Sequence, residues 1–274
     1  VVDPGVLRMA RHTGLDWGSA GTDVMSLGAA KGAGAMGFEP VAVYDEDNPY
    51  IHHFPDGNAG IARALVKKMI PGVAPGNTAE DLVLARFNYG KLDQCGNAVR
   101  IRLSSTAVRI QHAGAPASSG DVTIGYVNDN TLYQVKAKGV VMACYNAIIP
   151  HIVQDLPEEQ AEALKLQGKS PLQYTTVGLR NWRAFQERGI GLAMSPGNMH
   201  QAVLMDFPVS MGGYEFTKTP DDPCVIQMIC CPYGEVGAPR LEQFRDARFR
   251  MLSLQFHDYE DEIRRHLGGM LSPD

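Results

Sequence analysis

The amino-acid sequence predicts an α/β protein of the α+β type, in which strands and helices are largely separated along the chain. Runs between residues 99 and 137 alternate apolar with polar or basic side chains, which is typical of a β-meander. Residues 240–267 carry apolar side chains at helical spacing, so one long amphipathic helix or two joined helices are expected there. With 274 residues, the chain can form one large domain or two smaller ones.

The first predicted helix follows a tight turn. Asp56-Gly57 favours a turn in which Gly57 has a positive φ, and Asn58 is placed to cap the helix that follows, from Ala59 to about Ile70. The apolar side chains of this helix form one stripe through Ile61, Leu65 and Met69. Because a helix N-terminus carries unpaired amides, this turn is a candidate binding site for an electron-rich ligand edge.

The middle of the chain is predicted to form strands. They cover residues 99–103 with a continuation at 107–110, then 122–127, 133–137 and 139–144. Asn128-Asp129-Asn130 is a turn signal between two of them. The segment 139–144 has no polar side chain, so we expect a strand buried in a parallel sheet.

The remainder of the chain predicts a mixed sheet with a long helix. A short helix is expected at 157–167, and strands at 173–182, 201–209 and 224–231. Residues 1–48 are rich in Gly and Ala and show little periodicity.

Composition excludes some classes of partner. The net charge is −5 and no dense basic run occurs, so nucleic-acid binding is not expected. No apolar run approaches the length of a membrane span. The chain starts at Val1 without an initiator Met or secretory leader, so we expect a piece of a longer protein and leave its compartment, cytoplasmic or periplasmic, open.

Two apparent ligand motifs are better explained otherwise. Gly32–Gly37 matches G-x-G-x-x-G, but neither a strand before it nor a helix after it is predicted, since Pro40 follows closely. His52 and His53 are adjacent and would point to opposite faces of an extended chain, so no metal site is assigned to them. The five cysteines form no disulfide or zinc pattern; Cys144 and the group at 224–231 are expected to be buried thiols.

An ordered series of segments carries a family resemblance. It consists of His53-Phe54-Pro55-Asp56-Gly57-Asn58-Ala59, Leu103-Ser104-Ser105-Thr106-Ala107-Val108, Val141-Met142-Ala143-Cys144-Tyr145-Asn146, Leu179-Arg180-Asn181-Trp182 and Asp206-Phe207-Pro208-Val209-Ser210. The series resembles the spermidine dehydrogenases among the flavin-dependent amine oxidases. The resemblance implies a partial FAD/NAD(P)-binding Rossmann-like domain at 51–147 and a substrate domain at 148–274, to which residues 1–50 would also belong.

The resemblance also implies site residues. The backbone of Val108 would contact the adenine end of FAD. Ala143, Cys144 and Tyr145 would lie at a strand end that runs beside the cofactor. Gly57 and Asn58 would lie near the flavin ring, with His53, Asp56, Asn58 and Tyr174 as candidate catalytic residues. Relatives often carry a lysine on the strand that matches Tyr174–Val177, and none stands there, which favours a dehydrogenase over an oxidase. Haem is associated with this family, but no ligand is assigned.

The implied reaction is hydride transfer from the carbon beside an amine nitrogen to FAD, with a spermidine-like polyamine as substrate and an unknown electron acceptor. A charged amine elsewhere in the substrate calls for carboxylates and aromatic faces. The candidates are Asp56, Asp206, Tyr145, Tyr174, Phe207 and Tyr214. The alternatives are a flavin oxidase or desaturase of another substrate class, or an inactive truncated binding protein.

Overall fold

The computed structural model describes residues 2–11, 26–28, 53–206, 208–232, 234–235 and 237–272. The chain forms two compact units. The first contains the described residues of Val1–Ile61, Thr78–Leu84 and Lys169–Asp274, and the second contains Ala62–Asn77 and Ala85–Gly168. The glycine-rich match at 32–37, His52 and Phe207 lie outside the described residues. Assignment of a cofactor domain and a substrate domain remains a prediction.

The described helices and strands confirm the α+β class. In chain order, the helices are α1 Pro4–Arg11, α2 Ala59–Met69, α3 Ala79–Val83, α4 Ile149–Ile152, α5 Glu158–Lys165, α6 Arg183–Arg188, α7 Arg240–Ser253 and α8 Phe256–Leu271. The strands are β1 Thr106–His112, β2 Val122–Asn128, β3 Thr131–Ala137, β4 Gln173–Leu179, β5 Leu192–Met194, β6 Ala202–Met205 and β7 Cys224–Cys230. Within the described ranges, no helix is long and apolar enough to cross a membrane.

The second unit contains the predicted meander. β1, β2 and β3 form an antiparallel sheet in that order. Asp129 and Asn130 form the two-residue turn between β2 and β3, with φ of 46° and 58°. Short polar residues tolerate this left-handed conformation, and such a turn matches the twist of the flanking strands. The turn signal in the sequence is therefore confirmed.

The predicted strand at 99–103 is wrong. Arg100 and Arg102 both donate hydrogen bonds from Nε to the carboxylate of Asp93, at 2.6 and 2.7 Å. Ser104 then adopts a φ of 51°, which no strand accommodates, and β1 starts only at Thr106. The basic side chains that produced the alternating pattern thus hold a loop around one carboxylate.

The predicted buried strand at 139–144 is also wrong. This segment belongs to no strand and pairs with none of the described strands, and Val141 is 90% exposed. A parallel strand is buried only when helices and neighbouring strands cover it, and none of the described elements of this unit does so. Cys144, expected to be buried, is exposed, whereas Cys224, Cys230 and Cys231 are buried as predicted.

The first unit contains a four-stranded sheet in the order β4-β7-β6-β5. Its neighbouring strands are antiparallel throughout, whereas a mixed sheet was expected. Alternate residues of β7 are buried, and they pack with Phe185, Val203 and Met205 into the core. The side chains of α8 that cover this core are Ile263, Leu267, Met270 and Leu271.

The C-terminal segment forms two joined helices, as one of the two predicted alternatives. α7 ends at Ser253 and α8 begins at Phe256. Gln255 starts α8 with a capping box, in which its N–H donates to the carboxylate of Asp258 at 2.7 Å.

The short strand β5 and helix α6 were not predicted, because three- and six-residue elements carry little periodicity. The predicted apolar stripe of α2 (Ile61, Leu65 and Met69) is exposed.

A tight turn in the first unit depends on glycine. Gly212 and Gly213 have φ of 59° and 84° and join Met211 to Tyr214, which exchange two backbone hydrogen bonds of 3.0 Å. A Cβ atom at Gly212 would lie 2.2 Å from the carbonyl oxygen of Glu80, in α3. A backbone carbonyl of a helix cannot retreat by an ångström without loss of helical hydrogen bonds.

We expect Gly212→Ala to destabilise the protein far more than a positive φ alone explains. The strained φ costs about 1 kcal/mol, and the overlap with Glu80 adds roughly 1–3 kcal/mol. Gly189→Ala is the matched control, because Gly189 has a φ of 65° and nothing within 4 Å of an added Cβ. Urea unfolding of both variants measures the difference; equal losses would show that the close approach does not constrain the turn.

Candidate functional site

The turn before α2 has the predicted geometry. Gly57 has a φ of 63°, and its N–H donates to the carbonyl of Phe54 at 2.9 Å. The carbonyl of Asn58 accepts from the N–H of Ile61, which starts the helix. The expected cap by the Asn58 side chain remains a prediction. Asp56 is half-buried in this turn, and Asn58 is exposed.

His53 is held against the segment that follows β6. The N–H of Val209 donates to the carbonyl of His53 at 2.9 Å, and His53 forms a parallel bridge with Pro208. The ring Nδ1 of His53 lies 2.7 Å from Oδ1 of Asp206. Asp206 is itself fixed by its N–H, which donates to the carbonyl of Val225 in β7 at 3.1 Å.

This pair defines the proton positions on the imidazole. An ionised carboxylate only accepts hydrogen bonds, so Nδ1 of His53 carries a proton toward Asp206. In the neutral ring, Nε2 then keeps its lone pair and can accept a proton. The His53 side chain is 44% exposed and that of Asp206 only 19%, so the ring is accessible while its partner is partly shielded.

Tyr214 lies close enough to this pair to be affected by its charge. Burial raises the pKa of Tyr214, and the negative charges of Asp206 and Cys224 raise it further. The Gly212-Gly213 turn fixes the backbone of Tyr214 as described above. The phenol therefore remains protonated at neutral pH and can act as a hydrogen-bond donor.

A cavity of about 600 Å³ adjoins the pair. Pro208, which bridges to His53, and Tyr214 both contribute to its wall. The complete lining is Gly178, Leu179, Pro208, Tyr214, Glu215, Phe216, Thr217, Lys218, Asp222, Pro223, Cys224 and Val225. The cavity thus combines aromatic and aliphatic walls with a few charged groups, as small-molecule sites do.

Two carboxylates of the lining stay ionised. Backbone hydrogen bonds from Thr219 and Lys218 lower the pKa of Asp222. A hydrogen bond and the positive charge of Lys218 lower the pKa of Glu215. Both carboxylates are at the surface and make the electrostatic potential at the cavity rim more negative. Dissolved salt screens this effect.

Tyr174, a predicted catalytic residue, lies elsewhere in the first unit. It is 64% exposed on β4, opposite Ile229 of β7. It lines a different cleft of about 680 Å³, between β4 and α8. The structure therefore brings together His53, Asp206 and Tyr214, and it does not bring Tyr174 to them.

The predicted cofactor residues of the second unit are exposed. Val108 coincides with a β-bulge between Ala107 and Arg109, where β1 shifts register against β2. It lines a cavity of about 620 Å³ on the meander. Ala143, Cys144 and Tyr145 are exposed immediately before the 3₁₀ turn Asn146–Ile148. Gly57 and Asn58 belong to the first unit.

Comparisons with known proteins give partial structural likenesses. No protein-family model and no curated protein matches the chain. Wild-type putrescine oxidase bound to putrescine is similar with a TM-score of 0.38 and 14% identity, over 62% of this chain and 31% of that one. Cyclohexylamine oxidase from Brevibacterium oxydans IH-35A is similar with a TM-score of 0.37 and 16% identity, over 61% and 30%. The chain thus spans 30–31% of the length of these structures.

Proposed function

We propose that this chain is part of an FAD-dependent oxidoreductase that oxidises an amine, with a spermidine-like polyamine as substrate. The ordered motifs of the sequence support this proposal. The observation that carries it is the His53–Asp206 pair, joined at 2.7 Å beside a cavity that Tyr214 lines. A proton acceptor next to a cavity with aromatic walls is what oxidation of a charged amine requires.

The first requirement is removal of a proton. An alkylamine with a pKa of about 10 is protonated at neutral pH, and its nitrogen has no lone pair to assist hydride loss. His53 accepts this proton at Nε2, while Asp206 holds Nδ1 and stabilises the imidazolium that forms. The amine nitrogen is then neutral, and its lone pair can develop the carbon–nitrogen double bond of the imine.

The second requirement is a place for the remote ammonium of a polyamine. The aromatic rings of Tyr214 and Phe216 suit a cation, and Asp222 supplies negative charge. The carboxylate of Glu215 is already paired with Lys218. A substrate with two separated amines would place one nitrogen near His53 and the other along this wall. Asp56, Tyr145 and Tyr174 do not line this cavity and stay separate predictions for contact with an amine.

Some of the residues proposed to contact the cofactor have properties that suit a flat ring system, namely exposed apolar surface or open space beside the backbone. Val108 and Tyr145 are exposed side chains with apolar surface, and an added Cβ at Gly57 would meet nothing within 4 Å. In the first unit, Gly57 and Asn58 are the residues proposed to contact FAD. In the second unit, the proposed residues are Val108, Ala143, Cys144 and Tyr145. When bound, FAD supplies the acceptor for the hydride. Residues 51–147 are proposed as its domain, and 1–50 with 148–274 as the substrate domain. Haem has no proposed ligand.

We expect the full-length protein to carry flavin that spermidine reduces. Anaerobic addition of spermidine should bleach the visible flavin absorption, because the hydride reaches the cofactor and no oxygen returns it to the oxidised form. A colourless protein that does not take up added FAD would refute the flavoenzyme proposal. Flavin bleached by cyclohexylamine but not by spermidine would refute only the polyamine substrate.

We expect His53→Gln to slow anaerobic flavin reduction by roughly a hundredfold, since glutamine cannot accept a proton and general base catalysis contributes about 10²–10⁴. His257→Gln is the control, because His257 is an exposed residue of α8 that also lies near an aspartate, Asp258, at 3.4 Å. Single-turnover spectroscopy measures both. Equal rates for the two variants would remove His53 from the mechanism.

We expect Asp206→Asn to lower the pKa of Tyr214, because the variant removes one negative charge that disfavours the phenolate. Ultraviolet absorbance followed to alkaline pH measures the titration. The signal of Tyr214 is obtained by subtraction of the same variant with Tyr214→Phe. Asp222→Asn is the control and should leave this titration in place. An unchanged value in Asp206→Asn would show that the two groups do not interact.

A further inference from the structure

Three ionisable side chains meet in the interior of the first unit. His200 precedes β6, while Glu262 and His266 are one turn apart on α8. The residues are 0%, 9% and 4% exposed, respectively. One donor atom from each lies within 4.8 Å of the other two. Ionisable groups are rarely buried together without a specific partner.

The hydrogen bonds of this cluster are incomplete. His200 Nδ1 lies 2.6 Å from Oε2 of Glu262, so that edge of the carboxylate is satisfied. Oε1 of Glu262 and both ring nitrogens of His266 are buried without a hydrogen-bond partner. A buried polar group without a partner is destabilising. Two of these atoms, His266 Nδ1 and Glu262 Oε1, lie 3.7 Å apart, which is too far for a hydrogen bond. An ion that accepts electron pairs from all three side chains would give a partner to Glu262 and to one ring nitrogen of His266, and would thus remove part of this cost.

We propose that His200, Glu262 and His266 bind one divalent transition-metal ion of the zinc class. Two imidazole nitrogens and one carboxylate group are a common set of ligands for such ions. Three protein ligands leave a fourth position for water. The proposal is independent of the proposed function, because none of the three residues lines the cavity beside Tyr214.

The surroundings of His200 suit a ligand. Its Nε2 lies 2.8 Å from Oγ1 of Thr175 in β4, so Nε2 can donate to the hydroxyl while Nδ1 faces Glu262. Metal-bound imidazoles regularly use their second nitrogen for such a hydrogen bond, which fixes the ring. Thr175 therefore acts as a positioning residue for His200.

The distances require only modest side-chain shifts. Bonds of about 2.0–2.2 Å in tetrahedral geometry hold donor atoms about 3.3 Å apart. His200 Nδ1 lies 2.6 Å from Oε2 of Glu262, and His266 Nδ1 lies 3.7 Å from Oε1 of the same carboxylate, so the first distance must lengthen and the second must shorten. The ion replaces the proton that His200 and Glu262 share, and that proton is released to solvent.

One nearby cation competes for Glu262. The guanidinium of Arg265 lies 3.6 Å from Oε1, and its side chain is 64% exposed. Because the Arg265 side chain is mostly in solvent, its guanidinium can turn away when the carboxylate of Glu262 binds the metal. The ion would then join the segment before β6 to α8.

The test uses the full-length protein, treated with a chelator and then titrated with Zn²⁺ and, separately, Co²⁺. We expect one tightly bound ion per chain and a melting temperature raised by about 5 °C at a hundredfold excess over the dissociation constant. Co²⁺ should develop the visible absorption of a four-coordinate site. A folded chain that binds neither ion and shows no thermal shift would overturn the proposal.

His266→Leu separates this site from surface binding. Leucine fills the core without a ligand atom, so we expect the metal-dependent thermal shift and the Co²⁺ absorption to disappear. His257→Gln, on the exposed face of the same helix, should retain both. If His266→Leu does not fold, Thr175→Val tests the same site, because loss of the hydrogen bond to His200 should weaken Zn²⁺ affinity by about tenfold or more. Retained affinity in a folded His266→Leu would overturn the proposal.

Discussion

The first unit depends on the position of β7 inside its sheet. This strand pairs with β4 on one side and β6 on the other, so its backbone groups are bonded along both edges. Its alternate side chains from Cys224 to Cys230 are buried, and those of Ile226 and Met228 are fully enclosed. Burial of two such side chains contributes about 1.5–3 kcal/mol each, and no edge strand of this sheet matches that enclosure.

Strand β7 also holds the residues of the candidate site in place. The carbonyl of Val225 accepts the N–H of Asp206, and the carbonyl of Ile229 accepts that of Gln201, so β7 fixes both ends of the β6 segment. Asp206 then holds His53, and His200 lies immediately before Gln201. Both the proposed amine site and the proposed metal site are therefore attached to the best-buried part of the unit.

The sequence predicted the features that depend on residues close together in the chain. Gly57 was predicted to have a positive φ and the Asn128-Asp129-Asn130 turn to join two strands, because turn chemistry is local. The strands β2, β3, β4, β6 and β7 followed from periodicity. Periodicity also predicted helix at 240–267 but left open whether it is one helix or two. Residues 99–103 and 139–144 failed for a different reason. Residues 99–103 are held by Asp93, and residues 139–144 have no described partner strand. The alternation of apolar and polar residues predicts neither of these facts.

The pairs that form the sites could not be predicted from spacing. His53 and Asp206 are 153 positions apart, and His200 and Glu262 are 62 apart. Only the four-residue interval between Glu262 and His266, which places them on one helix face, was visible in the sequence. Without the sheet that brings His200 to α8, that interval is indistinguishable from an ordinary helix.

The cysteines divide between the units in a way that makes them natural reporters. Cys95 and Cys144 are accessible in the second unit, while Cys224, Cys230 and Cys231 are enclosed in the first. Burial, with the nearby Cys231 and Glu262, raises the pKa of Cys230 to about 12, so its sulfur stays a weakly nucleophilic thiol. An alkylating reagent will therefore modify the outer pair in the native protein and reach the inner three only when the sheet opens, which allows the opening of that sheet to be timed by mass spectrometry without any added label.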